Sequence, residues 1–171
     1  MKEFNEACKE FESNLEYFQQ LMEKDIMIPE INRKNENKMT VLHQLCTQNI
    51  PLEILKWLIE SNKADPQIYD DQGKNALHIT CQNKANLGMI DYLTEKCEIN
   101  VKDSLGNSYL HLAIENEQNE QVIELLIQKK IDLNSQNYIP FETPLHILIK
   151  KNIYEKKVLK VKKKKILSIF F

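Results

Sequence analysis

His43-Gln44-Leu45-Cys46 and His78-Ile79-Thr80-Cys81 each separate an imidazole from a thiol by three residues. On a helix that spacing puts the two side chains on one face, as a cysteine nucleophile and its general base require. His111 and His146, with Cys8 and Cys97, add further groups of the types that ligate zinc. A different chemistry is offered by the lysine-rich stretch from Lys156 to Lys165, of the kind that meets nucleic acid, acidic lipid or nuclear-import receptors. The chain has no glycine-rich phosphate loop, no His-Glu-x-x-His and no Cys-x-x-Cys.

The placement of the histidines argues against catalysis. Each closes a phrase of the same form: Thr40-Val41-Leu42-His43, Asn75-Ala76-Leu77-His78, Ser108-Tyr109-Leu110-His111 and Thr143-Pro144-Leu145-His146. The phrases start 35, 33 and 35 residues apart, and a fixed period of this size marks a stacked repeat. A catalytic dyad has no reason to recur at the repeat interval. Equivalent residues of neighbouring units lie about 8–10 Å apart, so their imidazoles cannot share a zinc ion. The same separation exceeds the ~7 Å Cα limit of a disulfide. Cys46 and Cys81, Cys8 in the same slot of a worn first copy, and Cys97 therefore read as reduced packing residues. No catalytic, metal-binding or cofactor-binding residue is assigned.

The phrase at Asn75–His78, preceded by Asp70-Asp71-Gln72-Gly73, resembles the ankyrin repeat, whose signature is Asp-x-x-Gly-x-Thr-Pro-Leu-His-x-Ala. The resemblance implies an all-α solenoid of about five stacked helix-turn-helix units joined by short β-hairpin-like loops. It also implies a non-enzymatic, monomeric module that binds another protein and needs no cofactor. Residues 1–35 make a degenerate N-terminal cap, 36–70, 71–103 and 104–138 make three repeats, and 139–171 a degenerate last repeat with the lysine-rich tail.

The elements that position these residues follow from apolar spacing. Phe4, Ala7, Cys8 and Phe11, then Leu15, Phe18, Leu21 and Met22, suit two short amphipathic helices. The second unit predicts helices at Val41–Gln48 and Pro51–Glu60, with Pro51 in the first turn. Leu87, Ile90 and Leu93 make the apolar face of the third unit's second helix, and 121–127 a helix in the fourth. In the exit turn of the second unit, Asn62, Ala64 and Asp65 match the family's Gly-Ala-Asp with one inserted residue. Lys38 stands in the first turn-glycine slot, and the neighbouring Asn37 is expected to supply the left-handed conformation. In the fifth unit Tyr138 and Phe141 fall in the Asp and Gly slots, so its hairpin is expected to be lost. Between the paired helices the usual Gly is replaced by Asn49, Lys84, Glu117 and Asn152, which should lower stability.

The resemblance also assigns roles. Thr40, Asn75, Ser108 and Thr143 cap first helices, Leu42, Leu77, Leu110 and Leu145 fill the seams, and the imidazoles bond across adjacent turns. Gly73 and Gly106 permit positive φ. The partner-binding groove is carried onto the fingertips Glu36, Asn37 and Met39, Asp71, Gln72 and Lys74, and Ser104, Leu105 and Asn107. Helix ends Thr47 and Gln48, Gln82 and Asn83, Glu115 and Asn116, and Lys150 and Lys151 complete it. Met39 and Leu105 are the apolar anchors to test first.

A composition 42% hydrophobic and 28% charged fits a folded, not a disordered, chain. No run reaches the ~18 apolar residues of a membrane span, and the polar start Met1-Lys2-Glu3-Phe4 lacks a secretory signal. An intracellular, cytoplasmic location is expected, with the nucleus as an alternative. From Lys150 onward nine Lys and one Glu give +8, against 14 basic and 24 acidic residues, −10, before it. That segregation leaves one rival reading, nucleic-acid or acidic-membrane association through the tail; the resemblance leaves another, a regulatory fragment of a larger multidomain enzyme.

Overall fold

A computed structural model describes residues 15–48, 50–83, 87–117 and 120–154. Among these there are eight helices and no strand: α1 (Leu15–Glu23), α2 (Val41–Cys46), α3 (Leu52–Glu60), α4 (Ala76–Gln82), α5 (Leu87–Lys96), α6 (Tyr109–Glu115), α7 (Glu120–Gln128) and α8 (Pro144–Tyr154). They form two rows. One row runs α2, α4, α6, α8, each helix packed on the next; the other runs α1, α3, α5, α7 in the same way. Pairs α4–α5 and α6–α7 tie the rows together. This is the all-α repeat solenoid that the resemblance implies. The proposed first helix around Phe4–Phe11 and the tail beyond Tyr154 lie outside the described residues.

Each row is built from helices too short to stand alone in water, so burial between neighbours holds them. Leu42, Leu77 and Leu110 are at most 1% exposed, sealing the seams between α2, α4 and α6. Leu145, in the same slot of α8, is only partly buried, and among the described residues no helix follows it in the row. Phe18 brings α1 fully into the core, beside α3. Burying one such side chain contributes roughly 1.5–3 kcal/mol.

Local chemistry departs from the sequence expectation at several turns. Helix α2 ends at Cys46 and not Gln48, and Pro51 precedes α3 as its cap, with ψ 141°. Lys38 itself, and not Asn37, takes the left-handed conformation, at φ 54°. In the exit turn after α3, Lys63 at φ 59° holds the glycine-like position, so Asn62 is not that residue and nothing is inserted. Glu117 and Lys130 are likewise left-handed, at 55° and 63°. Asn152 lies inside α8 and so ends no helix; Asn49 and Lys84 are outside the described residues.

Candidate functional site

Four turns link helices of one row to helices of the other, at residues 35–39, 70–74, 103–107 and 137–142. Each opens with a short acceptor side chain that organises the loop. Asp70 Oδ1 accepts the N–H groups of Gln72 and Lys74 at 2.9 and 2.8 Å, and Asp103 Oδ1 those of Leu105 and Asn107 at 2.9 and 2.8 Å. Asn35 does the same for Asn37 and Met39. The last turn is not lost. Asn137, and not Tyr138, takes the Asp slot: its N–H donates to the Glu142 carbonyl and its Oδ1 accepts the Glu142 N–H at 2.8 Å. One extra residue lengthens this turn, and Phe141 holds the Gly slot at φ 66°.

The turns are joined to one another. Asp71 N–H donates to Asn37 O at 3.2 Å, Ser104 N–H to Gln72 O at 2.9 Å, and Tyr138 N–H to Leu105 O at 2.9 Å. Glycine makes the close approach possible. A Cβ at Gly73 would meet Ser104 N at 2.9 Å, and one at Gly106 would meet Tyr138 N at 2.6 Å.

The imidazoles anchor each turn to the helix after it. His43 Nδ1 accepts the Thr40 N–H at 3.1 Å, leaving the proton on Nε2, which reaches the Lys74 carbonyl at 3.1 Å in the next unit. His111 repeats this with Ser108 N–H at 3.2 Å and the Glu142 carbonyl at 2.8 Å. His146 receives the Thr143 N–H at 3.2 Å. The hydroxyls of Thr40, Ser108 and Thr143 lie against the same Nδ1 atoms at 2.8, 2.8 and 2.7 Å. At His78 the Asn75 N–H again meets Nδ1 at 3.2 Å, but buried Nε2 meets no acceptor in good hydrogen-bond geometry, although the Asn107 and Val101 carbonyls lie near the ring. Burial lowers the pKa of His43 and His111, and takes His78 down to about 4, against the opposing pull of Asp103.

These positions leave no acid–base pair of the kind the His-x-x-Cys spacing suggests. Cys46 and Cys81 are fully buried and burial pushes both thiols far up, away from the reactive thiolate. His43, one turn before Cys46, spends both ring nitrogens on the scaffold. Cys97 is raised to about 12, mainly by burial, and its Sγ lies 3.6 Å from the Pro66 carbonyl. Among the described residues no cluster of three or more His, Cys, Asp or Glu could hold a metal ion. No described helix is long and apolar enough to cross a membrane.

The residues carried over as partner-binding divide by environment. Glu36, Asn37, Asp71, Gln72, Ser104, Leu105, Thr47, Glu115 and Lys150 are exposed; Met39, Gln48, Gln82, Asn83, Asn116 and Lys151 are half-buried. Lys74 and Asn107 depart from the expected exposure, at 8% and 7%. The Asn107 amide donates to Asp103 Oδ2 at 3.2 Å and its Oδ1 accepts from Asn137 at 3.4 Å, so its role lies inside the scaffold. The Lys74 ammonium donates to Gln72 Oε1 at 3.0 Å and Gln82 Oε1 at 2.7 Å, joining a fingertip to the end of α4. Lys151 bonds the Glu115 carbonyl at the end of α6 and Glu117 at 3.4 Å, and Lys150 pairs with Glu142. Sequence reasoning passed over Tyr138, Ile139 and Phe141, which are 54%, 85% and 67% exposed beside Leu105 at 67%. Their run of apolar residues in a turn was the available signal.

Comparison with known families places this architecture. The family described as ankyrin repeats (three copies) matches residues 4–103 and 42–137. A comparison with curated proteins returned no match. Ankyrin repeats are generally protein–protein interaction modules and typically have no catalytic role. With the family matched from residue 4 to 137 and the helices stacked in two rows, this chain belongs to the ankyrin-repeat family.

Proposed function

We propose that this chain binds another protein, as a monomer, through the concave groove between the turns and the C-terminal ends of α2, α4, α6 and α8. The observation that supports this most directly is the Lys74 ammonium, which bonds Gln72 on a turn and Gln82 on α4. Turn and helix end thereby become one continuous surface, with the amide and carboxylate groups of Gln48, Asn83, Glu115 and Asn116 exposed or half-exposed at helix ends. Such a surface recognises a partner by hydrogen bonding, with a few apolar anchors carrying most of the energy. Met39 and Leu105 are those anchors, and Glu36, Asn37, Asp71 and Ser104 the polar surround. The partner meets it inside the cell, where thiols such as Cys46, Cys81 and Cys97 stay reduced.

The test is an affinity capture from the native cell, followed by binding measurements on the recovered partner. Met39→Asp and Leu105→Asp should each weaken binding by about tenfold or more while the helical circular dichroism stays unchanged. Wild-type affinity in both variants would overturn the groove reading.

A further inference from the structure

The exit turn of the first unit is longer than its equivalents. Its left-handed residue, Glu30, stands seven residues after the end of α1 at Glu23, whereas Lys63 stands three after α3 and Lys130 two after α7. The added residues are braced. The Asp25 and Ile26 N–H groups donate to the Met22 and Leu21 carbonyls, each at 3.0 Å, and Asp25 Oδ1 accepts the Trp57 Nε1–H at 3.3 Å. The Ile28 N–H donates to Asn62 Oδ1 at 2.6 Å. Between this turn and the exit turn of the second unit lies a cleft of about 850 Å³, a size usual for small-molecule sites.

Met27, Ile28, Pro29 and Ile31 give the cleft apolar walls, and Met27 is 58% exposed. Most of the polar side chains that line it already have partners. Asn32 Nδ2 donates to the Lys63 carbonyl at 3.0 Å, and its Oδ1 accepts the Asp65 N–H at 2.8 Å. Arg33 pairs with Glu30 at 3.2 Å, and the Lys63 ammonium donates to the Glu60 carbonyl at 2.6 Å. One donor is left over. Asn62 lines the cleft and is 2% exposed; its Oδ1 is taken by Ile28, and its Nδ2 has no acceptor. A buried donor without a partner is costly, so the fold gains when an acceptor reaches it.

We propose that this cleft binds a small, neutral, apolar molecule carrying a carbonyl. The carbonyl oxygen accepts from Asn62 Nδ2, and the hydrocarbon part covers Met27, Pro29 and Ile31. The lining asks for no charge on the ligand: Arg33 and Glu30 cancel each other, and the Lys63 ammonium is turned to the Glu60 carbonyl. Apolar walls with one placed polar group are the usual composition of a small-molecule site. The proposal goes beyond the protein-binding reading, and the cleft shares no residue with the groove.

The experiment titrates the isotope-labelled full chain with butyrophenone and with butylbenzene, which has a similar shape and no carbonyl. NMR follows the methyl groups of Met27, Ile28 and Ile31 and the side-chain amide of Asn62. The ketone should shift these signals and bind about tenfold or more tighter than the hydrocarbon, the factor expected from satisfying one buried donor. Met27→Asp, at an exposed position, should weaken the ketone by a similar factor with unchanged circular dichroism. Asn62→Asp keeps the acceptor for Ile28 and removes the donor, so it should abolish the preference for ketone over hydrocarbon. Should that variant not fold, the wild-type affinity ratio and Met27→Asp decide the matter. No shift at these residues, equal affinity for the two compounds, or wild-type ketone binding by Met27→Asp overturns the proposal. So does a water contact at the Asn62 amide that persists with the ketone bound, because the partner of Nδ2 would then be solvent only.

Discussion

The Tyr109 ring lies across the His78 imidazole, with ring centres 4.4 Å apart and planes inclined at 53°. Its hydroxyl accepts from Asn75 Nδ2 at 2.9 Å and donates to the Glu98 carbonyl at 2.9 Å. The signature has Thr where Asn75 stands and Pro where Tyr109 stands, so two departures from the pattern meet in one buried contact. The longer Asn side chain both accepts the His78 N–H at 3.1 Å and reaches the next unit. Asn75 and Tyr109 thus join two repeats at the seam beside His78.

Removing that hydroxyl isolates its contribution. Tyr109 is fully buried, so Tyr109→Phe leaves the Asn75 amide and the Glu98 carbonyl without this partner. A loss of about 1–3 kcal/mol is expected in urea unfolding. A loss below about 0.5 kcal/mol, the range of neutral surface changes, would show that the network adds nothing to the seam.

Acid should weaken the fold through the buried imidazoles. His78 falls from 6.5 to about 4 in the folded chain, because burial disfavours its charged form. The unfolded chain therefore binds more protons between those values, and stability rises with pH there. The His78 contribution is fully present above about pH 6.5 and is lost as pH falls toward 4. That lowering corresponds to about 3 kcal/mol, and His43 and His111 act in the same direction. Unfolding free energies at pH 7.5, 6 and 5 check this, and a flat profile over that range would contradict it.

Backbone conformation predicts two changes of opposite sign. Gly106 has φ 82° and its missing Cβ would lie 2.6 Å from Tyr138 N, so Gly106→Ala must break the rung to the last turn. A destabilisation of about 1–3 kcal/mol is expected. Lys130 sits at φ 63° on an exposed exit turn. Lys130→Gly should stabilise the chain by up to about 1 kcal/mol, since the left-handed state costs a side-chain-bearing residue that much. Thermal melts of the two variants should move in opposite directions.

The thiols should be chemically silent until the chain unfolds. In a Cys8→Ser variant, modification of Cys46, Cys81 and Cys97 by an aromatic disulfide reagent at neutral pH should follow the unfolding rate. All three are buried, and burial raises each thiol. Fast reaction at Cys46 or Cys81 in the native chain would revive a nucleophilic role.

The sequence by itself determined the period, and its resemblance to the repeat family the stacked helix pairs, the sealing leucines and the scaffold role of the histidines. Those features depend on local spacing of apolar and polar groups, which each unit repeats and which any neighbour satisfies in the same way. Tertiary structure alone decided the rest. Lys38, Lys63 and Lys130 take conformations that composition assigns to Gly or Asn, because stacking of the units fixes the path of each turn and overrides the ~1 kcal/mol local preference. The burial of Lys74 and Asn107, and the exposure of Tyr138, Ile139 and Phe141, likewise follow from where the adjacent turn lies.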